Sequence, residues 1–161
     1  MFRVRAEFRE DLEVEAGVRG VREFFGDLRN FVRLMPGVES INEEAEGVVR
    51  WTVCVDVALV GSMSGHFRIA QTDDSPMRLE WRPAIDERKN LLRYAVSFEE
   101  LATTRTLVRV ALRVELRRAS AAGLHLLAAL IGEKRISAGM QERVALMMKT
   151  FLKRTRAQLD S

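Results

Sequence analysis

Cysteine is nearly missing from this sequence. Cys54 stands alone among 161 residues, which excludes an intrachain disulfide and a multi-cysteine zinc site and points to a reducing compartment. Histidine is scarce as well. His66 and His125 are the only two; they fall in different segments with no carboxylate at ligand spacing, so no metal and no cofactor is expected. Long apolar runs are also lacking: the best stretch, 119–131, is interrupted by Gly123 and His125 and falls short of the ~18 residues that a membrane span needs. The opening MFRVRAEFRE alternates charged and apolar residues without the continuous core of a signal peptide, so a cytoplasmic protein is expected. Neither sign of charge dominates. The 26 basic and 23 acidic residues are interspersed and leave a net charge of +3, without the basic stripe of a nucleic-acid-binding protein, and no nucleic-acid partner is expected.

What is present is alternation with period two over most of the chain, then a helical period at its end. Phe2, Val4, Ala6 and Phe8 alternate with charged residues, and Leu12 and Val14 resume the apolar set, predicting a first strand or strand pair. From Val18 the apolar spacing turns helical through Phe24, Phe25, Leu28, Phe31 and Met35, with Gly26-Asp27 as a break and N-cap and Pro36-Gly37 as the stop. A polar strand is expected over 38–46. Trp51, Val53, Val55, Val57 and Leu59 then share one face, followed by Met63, Phe67 and Ile69, by Met77, Leu79 and Trp81, by Leu92, Tyr94, Val96 and Phe98, and by Val108, Val110, Leu112, Val114 and Leu116. Short polar turns join these runs, which predicts an antiparallel meander. The opposite faces carry arginine against glutamate or aspartate, expected to form solvated cross-strand pairs worth a few tenths of a kcal/mol each.

The last segment, 124–159, keeps Leu124, Leu127, Ile131, Ala138, Ala145, Met148, Leu152 and Leu159 on one helical face. Gly123, Gly132 and Gly139 weaken it by about 1 kcal/mol each in a helix interior. A mobile segment over 121–131, ahead of a firm helix from about Ile136, is therefore expected, with Leu126 and Leu130 exposed to a membrane surface or a second copy of the chain. The predicted fold class is α+β: a curved antiparallel sheet of six or seven strands around a long C-terminal helix, with two short helices after the first strand.

This order of elements resembles the START-like helix-grip superfamily, also called SRPBCC, and in particular its polyketide cyclase/dehydrase branch. Four stretches carry the resemblance: Gly17 to Phe25 with Asp27, Leu34-Met35-Pro36-Gly37-Val38, Leu79-Glu80-Trp81-Arg82, and Val96-Ser97-Phe98 followed by Thr104 to Val108. The Met-Pro-Gly-Val turn and Gly61-Ser62-Met63-Ser64-Gly65 are also similar to the group of that superfamily associated with carbon monoxide dehydrogenase. The resemblance implies one START-like domain over 1–161 and a hydrophobic cavity between the concave sheet and the last helix. Such a cavity would hold a lipid, an isoprenoid quinone or a polyketide-like molecule.

Aromatic and methionine side chains at these spacings ordinarily fill a core. Given a cavity, they suit varied apolar ligands, methionine by adapting its shape and Trp or Tyr by adding one donor. The candidate ligand-binding residues are Trp51, Val53, Val55, Phe67, Leu79, Trp81, Tyr94, Val96, Phe98, Leu127, Ile131, Met140, Val144 and Met148. No catalytic residue is assigned. Tyr94 is the group to test for proton transfer; Cys54, Asp56 and His66 fall on the outward face by parity, and His125 reads as a partly exposed helix residue within reach of the cavity mouth. The expected function is carriage of a hydrophobic small molecule. An aromatase/cyclase-type enzyme using the same cavity is the alternative, and an accessory protein that delivers a cofactor or assists assembly of a larger enzyme is the third.

Overall fold

The computed structural model describes residues 1–125 and 127–161. Seven strands form one antiparallel sheet: β1 (Phe2–Val14), β2 (Val38–Ala45), β3 (Val48–Val57), β4 (Gly61–Ser75), β5 (Arg78–Pro83), β6 (Asn90–Ala102) and β7 (Arg105–Arg118), in the order β1-β7-β6-β5-β4-β3-β2. Helices α1 (Val18–Gly26) and α2 (Arg29–Leu34) follow β1, and α3 (Ala128–Ile131) and α4 (Glu133–Leu159) follow β7. This is the expected α+β architecture. The first segment is a single strand, which pairs with β7 over its whole length from Phe2↔Arg118 to Val14↔Thr106. Among the described residues no helix is long and apolar enough to cross a membrane.

The grip between sheet and helix is a matched pair of repeats. β1 is an edge strand, so alternate backbone groups along it face away from β7 and need partners. α4 supplies them. Glu133 Oε1, Ser137 Oγ and Gln141 Oε1 accept the N–H groups of Arg3, Arg5 and Glu7 at 2.5, 3.1 and 2.8 Å. Four helical residues rise about 6.0 Å and two strand residues about 6.6 Å, so the side chains keep step with the strand. At the far end Arg156 Nε donates to Glu13 O at 3.2 Å and Asp160 accepts the Glu15 N–H at 2.7 Å. The inner face of α4 buries Ile136, Met140, Val144, Met148, Phe151, Leu152 and Thr155 at helical spacing.

Two glycines set where α4 begins and how closely it approaches. Gly132, at φ 90°, ends α3 and precedes α4, so the helical run over 124–159 is broken there, and the firm helix expected from about Ile136 starts three residues earlier, at Glu133. Gly139, expected to interrupt the helix, lies inside it. A Cβ there would stand 3.2 Å from both Ala58 O and Val57 Cγ1, and the missing side chain lets α4 cross the end of β3. Leu59 also departs from the expected pattern. β3 ends at Val57, and Leu59 sits in the following turn with φ 73°, exposed to solvent.

α1 and α2 fill one end of the concave face with rings. Phe31 stacks on Phe151 at 4.8 Å and meets Trp51 and Tyr94 at 5.3 and 5.5 Å, while Phe25 lies 5.8 Å from Phe98. Asp27 serves the break between these helices, its Oδ1 accepting the Arg29 N–H at 3.1 Å. Arg154 of α4 donates to Leu34 O at 3.0 Å and ties down the end of α2.

On the convex face one carboxylate departs from the solvated pairs expected there. Glu80 is 7% exposed at its side chain and accepts from Arg78 and Arg82 at 2.7 Å each, from Thr72 at 3.1 Å and from Arg93 at 3.5 Å. Burial alone would push its carboxyl up, but the hydrogen bonds from Arg82, Arg78 and Thr72 outweigh it and hold the pKa at about 2. Because the folded value lies below the ordinary 4.5, the stabilisation is complete above that value and is lost as pH falls toward 2. The arginines are about half exposed and solvent screens them, so Glu80→Gln is expected to cost about 1–3 kcal/mol near neutral pH. Urea melts should show the gap between wild type and variant closing below pH 4.5; a gap independent of pH contradicts this assignment.

Candidate functional site

The other end of the concave face is not filled. β5 has six residues and pairs with β4 from Ile69 onward, so among the described residues no strand lies between residues 61–68 of β4 and the start of β6. Asn90 spans this gap, its Nδ2 donating to His66 O at 2.8 Å. Gly65 adds to the space. It pairs with Val53 on the inward side of the sheet, where its neighbours in phase are Met63 and Phe67 and where it contributes no side chain.

The result is a cavity of about 300 Å³ between β3, β4, β6, β7 and α4. Its wall is formed by Trp51, Val53 and Val55 of β3, Met63 and Phe67 of β4, Leu92 of β6, Leu112, Val114 and Leu116 of β7, and Met140, Val144, Met147 and Met148 of α4. Met35 and Val38 close the side toward α2. Five of the seven methionines in the chain therefore face one space. Unbranched thioethers repack at low cost around ligands of different shape. The polar lining is Ser62, Ser64, Asn90, Arg118 and His125. These lie at the start of β4, the start of β6, the end of β7 and the segment beyond it, which the strand register brings to one end of the sheet. That end is the mouth.

Seven of the fourteen residues singled out from the sequence line this cavity: Trp51, Val53, Val55, Phe67, Met140, Val144 and Met148. Leu79, Val96 and Phe98 are buried on the same concave face at the end that α1 plugs, with Leu79 against Gly26 and Phe98 against Phe25. Tyr94 packs on Phe31, and Trp81 pairs with Tyr94 and is half-buried against the core. Leu127 is 45% exposed and Ile131 packs on the core, while their neighbours Leu124 and His125 reach the cavity. Leu130 is 84% exposed; Leu126 lies outside the described residues. Periodicity gave no sign of the polar mouth, because Asn90 and Arg118 sit at strand ends, where charged and polar residues are unremarkable.

The chemistry available is mostly apolar contact, with a few donors. Trp51 is 4% exposed and its Nε1–H has no acceptor among the described residues. His125 lies between α3 and the 3₁₀ turn Ala121–Gly123 rather than on a helix, and its Nδ1 accepts the Leu127 N–H at 3.2 Å. In the neutral ring this places the proton on Nε2. Arg118 donates to Asn90 Oδ1 and to Arg117 O at 2.8 Å each and to Lys89 O at 3.3 Å. Cys54 stands 3.5 Å from the Ser62 hydroxyl and does not line the cavity. The Tyr94 hydroxyl is buried without a partner among the described residues, and burial pushes its pKa far above the ordinary range, which holds the phenol neutral. Among the described residues no three His, Cys, Asp or Glu side chains converge as metal ligands.

No protein-family model and no curated protein matches the sequence. Solved structures do match the fold. The Zhui aromatase/cyclase of Streptomyces sp. R1128 is 17% identical over 96% of this chain and 93% of its own, with a TM-score of 0.69. A START superfamily protein of Mycobacterium smegmatis is 14% identical over 95% of this chain and 98% of its own, with a TM-score of 0.64. The di-domain ARO/CYC BexL from the BE-7585A biosynthetic pathway is 15% identical over 98% of this chain and 51% of its own, with a TM-score of 0.67. With its seven-stranded grip, its two plugging helices and its cavity at the open end of the sheet, this chain has the START-like helix-grip fold shared by polyketide aromatase/cyclases.

Proposed function

We propose that the chain, as one START-like domain over 1–161, binds and carries an apolar small molecule in the methionine-lined cavity. The observation that carries this reading is the cavity itself: about 300 Å³ of space, walled by apolar side chains, in a fold whose opposite end is packed with rings. Removal of apolar area from water, at about 25 cal/mol per Å² before ordering costs, supplies the affinity. Trp51 contributes its ring to the wall, while its Nε1–H is buried. Mass spectrometry of solvent-extracted protein tests the reading. A co-purifying lipid, quinone or polyketide-like molecule is expected, and a chain that yields none and binds no hydrophobic probe overturns it.

A second reading is a cyclase that folds a polyketide chain in the same space by positioning it. It is favoured by the Asn90–Arg118 hydrogen bond on the lining and by the likeness to the Zhui aromatase/cyclase. A carrier returns its ligand unchanged, whereas a cyclase converts a reactive poly-ketone to ring products.

In the carrier reading the ligand passes beneath 121–131, which ends on two short pieces, the turn Ala121–Gly123 and the four-residue α3, before the Gly132 break. Exposed Leu127 and Leu130 would meet a membrane surface as the ligand transfers. Amide exchange in 121–131 is expected to be faster than in 144–155, since local opening follows sparse burial and few hydrogen bonds. Equal protection of the two segments contradicts the gate.

A further inference from the structure

Among the described residues Arg118 is the one charged residue on the cavity lining, and no Asp or Glu accompanies it there. It makes no ion pair among those residues, whereas its neighbour Arg117 pairs with Glu115 at 2.6 Å. Its hydrogen bonds run to two carbonyls and to the Asn90 amide oxygen, all neutral acceptors. Its Nε–H and one further N–H are left without an acceptor among the described residues. Burial pushes the pKa of this guanidinium below its ordinary value, opposed by the charge of Glu87. Among the described residues this half-buried cation is hydrogen-bonded only by neutral acceptors, and Glu87 acts on it through its charge without forming an ion pair. Asn90 uses both ends of its amide, toward His66 O and toward Arg118, and so fixes the guanidinium at the rim. His125 adds the Nε2–H donor to the same lining.

Building on the binding function proposed above, we infer that the cavity takes a carboxylate-headed amphiphile, its head on Arg118 and His125 at the mouth and its chain running inward toward Met148 and Trp51. A carboxylate suits the site because the planar guanidinium presents its N–H groups as a fork that two carboxylate oxygens match. The size is bounded as well. The cavity, at about 300 Å³, lies at the small end of the range of ligand pockets. The ligand class is therefore a medium-chain acid or a longer acid whose end protrudes.

The probes are decanoate, decanol and decyltrimethylammonium, which share a chain and differ in the charge of the head, titrated at neutral pH. Decanoate is expected to bind at least about tenfold more tightly than either of the others. In Arg118→Gln the decanoate-to-decanol ratio should collapse to near one, and Arg118→Lys should keep part of it. Equal affinity for decanoate and decanol in the wild-type chain, or a preference that survives in Arg118→Gln, overturns the inference and leaves the binding function standing. Failure of all three to bind overturns the binding function and the inference with it. Should Arg118→Gln not fold, the wild-type comparison together with Arg118→Lys still decides.

Discussion

Phe151→Ala is expected to destabilise the chain by about 3–5 kcal/mol, the cost of deleting a fully buried aromatic ring from a packed core. Phe151 has no exposed surface. It stacks on Phe31 at 4.8 Å and meets Phe25 edge-on at 6.2 Å, so its loss also removes the face on which α2 rests. At about 2–4 °C per kcal/mol for a chain of this size, the melting temperature should fall by roughly 10 °C. Leu146 on the same helix is mostly exposed, and Leu146→Ala should stay within about 0.5 kcal/mol. Chemical denaturation of the two variants side by side checks the contrast, and similar losses in both would mean that the ring cluster does not anchor α4.

Gly65→Leu is expected to separate binding from stability. A Cβ at this position meets Asn90 Nδ2 at 3.5 Å and Phe67 Cε2 at 3.9 Å, ordinary contact distances that require no backbone shift. The rest of the leucine side chain then occupies the space beside Val53. Its four carbons displace about as many ligand methylenes, each worth about 0.8 kcal/mol, so affinity for an apolar ligand should drop by roughly 100-fold. The melting temperature should hold or rise, because a cavity is being filled rather than emptied. Unchanged affinity in a folded Gly65→Leu would place the ligand elsewhere.

The face of each strand is legible in the sequence because the side-chain period of a strand is two. Trp51, Val53, Val55, Leu79, Tyr94, Val96 and Phe98 fall inward by parity, and the core buries or half-buries all seven. Position along the strand is not legible. Which end of the concave face is filled depends on where α1 and α2 fold back, a tertiary fact with no period of its own, and so parity groups Leu79, Val96 and Phe98 with residues that line the cavity. Met35 and Gly65 escape the pattern for related reasons: one stands just beyond α2, and the other contributes by the side chain it lacks. In the final helical run the breaking glycine and the packing glycine look alike in sequence. Only the structure tells Gly132, with its positive φ, from Gly139 against Ala58 O. The Glu80 cluster is hidden because cross-strand charge pairs look the same whether solvated or covered. Arg118 carries no signal until the register brings it beside Asn90.

The central claim, an apolar ligand held in the cavity of this fold, is tested most directly by methyl NMR of the seven methionines during titration with decanol. The account predicts that the signals of Met35, Met63, Met140, Met147 and Met148, which line the cavity, shift together and saturate. Met1 and Met77, exposed and away from it, should stay in place. Shifts confined to Met1 or Met77, or no shift at saturating decanol, would contradict it.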